Sequence, residues 1–296
     1  MAEARENGIL WLRPMSLAPT SKSVRARPLA VFIPDLNNTG GTERSTLRCI
    51  ERWSVQRRVT VYTRSVSVRP PVEVEVVTVR LPKRPQLVAW AAFVLWSTWK
   101  ARQLRRSDTR PIIFTPGANL LGADVTVAHI YFRQYRAVLK ADVKSGNVAP
   151  RRVWSRRGPF VDMRLLHSRL YGQLVRLAEA IHYRRTPWVF AVSPIQQSAM
   201  EDDGIAVWGV APNGVDPTEF EIVRRSDASS GRLRVGTVGS EIDKKGLDVL
   251  IKAVSAAELS QSIELVIATR PSNEIELRRL ANDLGYEHLS LRCDVQ

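Results

Sequence analysis

The sequence predicts an α/β protein built from doubly wound parallel sheets, on three observations. Apolar runs of strand length recur along the chain, beginning with residues 28–36 (PLAVFIPDL), and continuous runs belong to parallel strands covered on both faces. Most are followed by a turn signal and a segment whose apolar residues recur at helical spacing, so strands alternate with helices. A polar stretch at 219–231, rich in Asp, Ser and Arg and without either periodicity, separates two such series and reads as a linker.

After the first strand comes Asn37-Asn38-Thr39-Gly40-Gly41-Thr42-Glu43, and then a helix from about Thr42 with Leu47, Ile50 and Trp53 on one face. The two glycines let backbone approach a ligand closely, and the helix aims its free amides at the same place. The same residues also describe a plain βα turn, because a Gly pair is far less specific than a full phosphate-loop motif. Residues 58–63 and 72–81 read as strands separated by Pro70-Pro71. Residues 87–106 read as a helix, apolar first and basic at its end through Lys100, Arg102, Arg105 and Arg106, where cations suit the helix dipole. A core helix with a solvated basic end is the reading adopted, and an amphipathic membrane-surface helix is the alternative.

Strands follow at 111–116 and 124–130 (DVTVAHI), with His129 at the end of the second. Strand C-termini are where ligands bind in open α/β sheets, although a lone His is more often structural. Residues 131–140 mix Tyr131, Phe132, Arg133, Tyr135 and Arg136, a loop or helix suited to a sugar face and a phosphate, or to plain solvation. Residues 144–164 are rich in Gly, Pro and Arg and read as a mobile loop. Residues 165–183 have helical spacing through Leu166, Leu170, Leu174 and Leu177, with His167 and His182 as structural or surface groups. A strand at 188–193 and a helix from Pro194 close this half, and the chain turns at Pro212-Asn213-Gly214.

The second half reads strand 233–238 ending on Gly239, a helix opened by Asp243-Lys244-Lys245-Gly246 with Leu247, Leu250, Ile251 and Val254 on one face, strand 263–268, helix 274–284 and strand 289–293. Only 65 residues follow Gly231, half of a doubly wound domain of about 100–150 residues.

The net charge of +15 is uneven: residues 232–296 hold nine Lys/Arg against ten Asp/Glu, so residues 1–231 carry a net +16. A basic surface suits nucleic acid, an anionic membrane or a phosphorylated substrate; without zinc-finger spacing, an aromatic RNP pattern or a heptad-backed basic region, no nucleic acid is expected. Cys49 and Cys293 form no framework and fit a reducing compartment. Residues 1–27 lack the apolar core of a signal peptide and read as a flexible extension. The longest apolar run, 87–99, has thirteen residues, short of the about 20 that span a bilayer. A nicotinamide dehydrogenase would need G-x-G-x-x-G after its first strand, and none is found.

Pro212-Asn213-Gly214-Val215-Asp216, a change of domain near Phe220, a strand ending on Gly239 and then Lys245-Gly246-Leu247-Asp248 together closely resemble the GT-B glycosyltransferases of family GT4. In that family the first block ends the acceptor domain and the second opens the nucleotide-sugar domain. Gly40, Gly41, Glu43 and Arg44 match the family's Gly-Gly-x-Glu-Arg loop as they stand, and a strand ending in a His that faces the acceptor cleft, as His129 would, recurs in it. The resemblance covers about residues 28–296. It implies two Rossmann-like doubly wound domains facing a cleft, the second incomplete: an extension at 1–27, an acceptor domain at 28–218, the linker at 219–231 and a partial nucleotide-sugar domain at 232–296.

The activity implied is transfer of a sugar, with retention, from a nucleotide-diphosphate-sugar to a lipid-linked, polysaccharide or other glycan acceptor, with no cofactor and no metal. The residues implied are His129 as catalytic group; Gly40, Gly41, Gly239, Lys244, Lys245 and Gly246 around the donor phosphates; Glu43, Arg44, Tyr131 and Arg133 on the acceptor side; and Asn213, Gly214 and Asp216 at the domain joint. The arginines at 151, 152, 156 and 157 would lie near the acceptor and its lipid phosphates. A cytoplasmic location with peripheral contact to the anionic inner face of the membrane goes with this reading. Two departures stand out. Ser240 occupies the position where the family has Arg, with Lys244 as a partial substitute, and the family's Glu-x7-Glu motif would fall beyond Gln296. The chain is therefore expected to be a C-terminally truncated fragment, inactive as such, with a non-catalytic GT-B-like binding module as the alternative.

Overall fold

The structure is a computed structural model that describes residues 27–38, 40–135, 137, 163–215, 232–239, 242–257 and 260–293, with backbone only at 163–168, 243, 244 and 260. The extension up to residue 26, residues 138–162 and the linker at 219–231 lie outside the described residues. The chain divides into two compact units, one ending at Gly214 and the other beginning at Val215.

The first unit holds a seven-stranded sheet in the order β5-β3-β1-β6-β7-β8-β9, with every neighbouring pair parallel. The strands are β1 (Leu29–Phe32), β3 (Val59–Thr63), β5 (Val74–Thr78), β6 (Ile112–Pro116), β7 (Val125–Ala128), β8 (Trp188–Ala191) and β9 (Gly209–Val210). The alternation of side chains along β1 explains its continuous apolar run. Leu29 and Val31 enter a core with Ile50, Val59 and Val61, while Ala30 and Phe32 enter one with Tyr62, Ala101 and Ile113. Phe32 stacks on Tyr62 at 4.8 Å between ring centroids.

The expected single strand at 28–36 is divided. Pro34 has no N–H to give to a ladder, and Asp35–Leu36 (β2) instead pair with Ser65–Val66 (β4) as a separate two-stranded ribbon. Helix α1 (Gly41–Ser54) buries Ile50 and packs Trp53 edge-on against Phe114 at 4.9 Å. Helix α2 (Gln86–Arg105) buries Ala89, Phe93, Val94 and Ala101 in the core, while Val88, Leu95 and Trp99 on its other face stay exposed. Helix α3 (Met163–Arg185) leads into β8, and α4 (Pro194–Asp202) follows it, with Ser193 Oγ accepting the Gln196 amide at 3.2 Å and Pro194 in the first turn.

The connection between β6 and β7 is the unusual feature. Adjacent parallel strands ordinarily need a crossover of a dozen or more residues, commonly a helix, yet only residues 117–124 lie between these two. The tight path uses Gly117 and Gly122 at φ +78 and +100, which suit glycine. Its buried amides find side-chain acceptors: Leu121 N–H donates to Thr98 Oγ1 (2.9 Å), Gly122 N–H to His182 Nδ1 (3.2 Å) and Ala123 N–H to Thr186 Oγ1 (3.1 Å). Arg105 donates to the Gly122 carbonyl and to Asp124, each at 3.0 Å. Helices α2 and α3, with Thr186 just past the end of α3, thereby supply the partners that a crossover helix would have supplied internally.

The second unit is a parallel three-stranded sheet, β10 (Leu233–Val238), β11 (Ile263–Ala268) and β12 (Leu289–Arg292), in that order. Helices α6 (Leu247–Ser255) and α7 (Glu274–Asp283) pack on it through Leu247, Ile251, Leu265, Ile267 and Leu277. One turn, α5 (Ile242–Lys245), precedes α6, and Gly246 divides the two at φ 63, so the helix expected from Asp243 is broken at that glycine.

Candidate functional site

The strand order of the first unit reverses between β1 and β6, and in open α/β sheets the ligand crevice lies outside the C-terminal strand ends at that switch point. On the β1 side, Gly40 caps α1 in an extended conformation and the first-turn amides of α1 have no intrahelical acceptor. A Cβ at Gly40 would collide with the Glu43 carboxylate, whereas one at Gly41 would meet nothing within 4 Å. Arg44 is exposed. Ser45 donates to Asn213 Oδ1 at 3.1 Å, which brings the Asn213-Gly214 turn beside α1.

Also at the end of β1, Arg64 grips Asp35 through two nitrogens at 3.1 and 2.7 Å, and Ser65 donates to the same carboxylate at 2.5 Å. Burial pushes the Asp35 carboxyl up, but these bonds and the Arg64 charge outweigh it and hold the group below the usual carboxylate range. On the β6 side, Asn119 donates to Thr115 Oγ1 (3.1 Å) and to the Pro116 carbonyl (2.7 Å), fixing the Gly117–Asn119 turn at the switch point. Sequence reasoning passed over both groups. The Pro116-Gly117 pair after a strand was the available signal for the second.

His129 stands just past the end of β7 and is half-buried. Burial lowers its imidazole below the ordinary value of 6.5, so the ring is neutral at pH 7 and can exchange a proton with a hydroxyl. Tyr131 and Arg133 share one partner: the Tyr131 hydroxyl donates to Asp203 Oδ2 at 2.5 Å and Arg133 pairs with Asp203 Oδ1 at 3.0 Å. Burial, then the bond to Asp203, raises the Tyr131 phenol, which stays protonated. The backbone N–H of Phe132, opening the helical turn at 132–135, donates to the Glu179 carboxylate at 2.9 and 3.1 Å. Neither Asp203 nor Glu179 figured among the sequence candidates.

In the second unit Gly239 and Lys245 are brought together. A Cβ on Gly239 would lie 2.8 Å from Lys245 Cβ and Cγ, so the lysine stem covers the end of β10 while the residue stays exposed. The Lys244 side chain, Ser240 and Asp216 lie outside the described residues, as do Arg136 and the arginines at 151–157. Among the described residues no three His, Cys, Asp or Glu side chains gather as a metal site, and no helix is long and apolar enough to cross a membrane.

Neither a protein-family model nor a curated protein sequence matches the chain. Solved structures do. That of WaaG, a glycosyltransferase involved in lipopolysaccharide biosynthesis, aligns with a TM-score of 0.61 and 16% identity over 89% of this chain and 69% of that one. A glycosyltransferase from Rickettsia africae aligns with a TM-score of 0.50 and 12% identity, over 89% and 67% of the two chains. The fold is the α/β, parallel-sheet fold of the GT-B glycosyltransferases.

Proposed function

We propose that the protein is a retaining glycosyltransferase of the GT4 kind, moving a sugar from a nucleotide-diphosphate-sugar to a lipid-linked or other glycan acceptor. The observation that carries this reading is the position of Gly40, Gly41 and His129 on the C-terminal edge of a sheet with the GT-B fold, two of them beside the switch point. In this reading the Lys245 ammonium, at the end of β10, neutralises charge developing on the leaving diphosphate, which is the group that needs stabilising in the transition state. Neutral His129 serves the acceptor hydroxyl. No metal enters the scheme.

Peripheral contact with an anionic bilayer belongs to the same reading. Val88, Leu95 and Trp99 are exposed at 48, 65 and 54% along one face of α2, and Arg102 and Arg106 follow at its basic end. The proposal is tested by calorimetry with nucleoside diphosphates and their sugar conjugates. Saturable binding of one of them, weakened by Lys245→Ala, is expected. Ser240, standing where the family has Arg, favours a second reading as a non-catalytic binding module, and that reading is adopted if no nucleotide binds while glycan or lipid acceptors do.

A further inference from the structure

A cavity of about 250 Å3 opens beside α3, and none of Gly40, Gly41 or His129 lines it. Arg133, Arg176 and Arg184 face it together with Asp203 and Glu179, and Tyr131, Leu177 and Ile205 supply apolar wall. Three guanidinium groups against two carboxylates leave a positive balance. The cations are also underused. Arg133 gives one bond to Asp203, Arg176 reaches Gln173 at a long 3.4 Å, and no described carboxylate lies in ion-pair range of Arg184. A guanidinium carries five N–H donors in a fork that matches phosphate.

The carboxylates retain acceptor capacity. Each oxygen of Asp203 takes one bond, whereas an ionised carboxylate accepts about four, and Glu179, which takes the Phe132 N–H, keeps a free lone pair for a hydroxyl in either protonation state. The volume holds about eight waters at about 30 Å3 each and falls below the about 300–1,000 Å3 of drug-sized pockets, so the occupant is small.

We propose that this cavity binds a small phosphorylated polyol, free or as a lipid headgroup, with its phosphoryl oxygens on Arg133, Arg176 and Arg184 and its hydroxyls on Asp203 and Glu179. The site shares no residue with the proposed donor site and does not depend on the chain being a transferase.

The test is calorimetry of the full chain with sn-glycerol 3-phosphate at fixed ionic strength, with flotation on phosphatidylglycerol vesicles in parallel. One saturable site is expected, at least about tenfold weaker in the Arg176→Ala/Arg184→Ala double variant through lost charge-assisted bonds, and unchanged in Lys245→Ala. Inorganic phosphate, lacking hydroxyls, should bind more weakly than glycerol 3-phosphate. Vesicle capture that needs the same two arginines, without binding of free glycerol 3-phosphate, supports the site with a lipid as its source. Absence of both, or binding removed by Lys245→Ala and kept by the double variant, overturns it. If the double variant loses its circular dichroism, Arg184→Gln alone replaces it, with the same two outcomes.

Discussion

Glu179 and His182 lie three residues apart on α3, both buried, and burial moves them in opposite directions. Burial pushes the Glu179 carboxyl up to about 7 against the pull of the backbone amides of Phe132 and Arg133, and pushes the His182 imidazole down to about 4. Glu179, raised from 4.5, contributes stability that is present below 4.5 and lost as pH rises through about 7; His182, lowered from 6.5, contributes stability that is present above 6.5 and lost as pH falls through about 4. Each amounts to about 3 kcal/mol, and between pH 4.5 and 6.5 they oppose. Glu179→Gln should therefore make the protein more stable at pH 7 than at pH 4.5 by about 3 kcal/mol more than in the wild type, as read from urea midpoints at the two pH values. An unchanged difference would show that Glu179 is not held in this state. In sequence Glu179 is the only acid of the 23 residues of α3, a signal that spacing alone could not turn into a role, because its partners come from a turn 47 positions away.

Gly239 was legible as a strand-end glycine, but its reason was not, since only the fold lays Lys245 across it. Gly239→Ala should cost about 1–3 kcal/mol by overpacking and displace Lys245. Gly236→Ala on the same strand, where a Cβ meets nothing within 4 Å, should cost far less. Denaturant unfolding of the two variants checks the contrast, and equal losses would contradict it.

Among the elements, helices and long strands were readable because their apolar spacing reports burial directly: Leu47, Ile50 and Trp53 face the core as their period demands. The short connection at 117–124 was not readable, because its amides are satisfied by Thr98 and His182 on two distant helices and by Thr186 just past the end of the second. Thr186→Val keeps the shape but strands the buried Ala123 amide and should cost about 1–3 kcal/mol. A loss below about 0.5 kcal/mol would mean the amide finds another partner. Likewise β2 and β4 hold two residues each, too short for any alternation to show.

The exposed stripe on α2 makes a prediction of its own. Leu95→Ser/Trp99→Ser should lower binding to anionic vesicles severalfold while leaving binding to nucleoside diphosphates unchanged, since neither side chain is at a strand end. Vesicle binding that survives the pair would remove α2 from the membrane contact.

For the molecule as a whole, the order of strands and helices in the sequence is enough to put His129 and the glycine pair on one sheet edge, because a doubly wound topology leaves little choice about where strand ends lie. What spacing could not supply was the set of side chains behind that edge, Asp35, Asn119, Asp203 and Glu179, whose partners are assembled by the fold.

The central claim, sugar transfer supported by His129, is tested most directly by offering the full protein a panel of labelled nucleotide-diphosphate-sugars with a membrane-lipid extract as acceptor. The account predicts that one donor labels the lipid fraction and that His129→Ala lowers the rate by at least about 100-fold. Labelling that His129→Ala leaves intact, or no labelling and no binding with any donor, would contradict it.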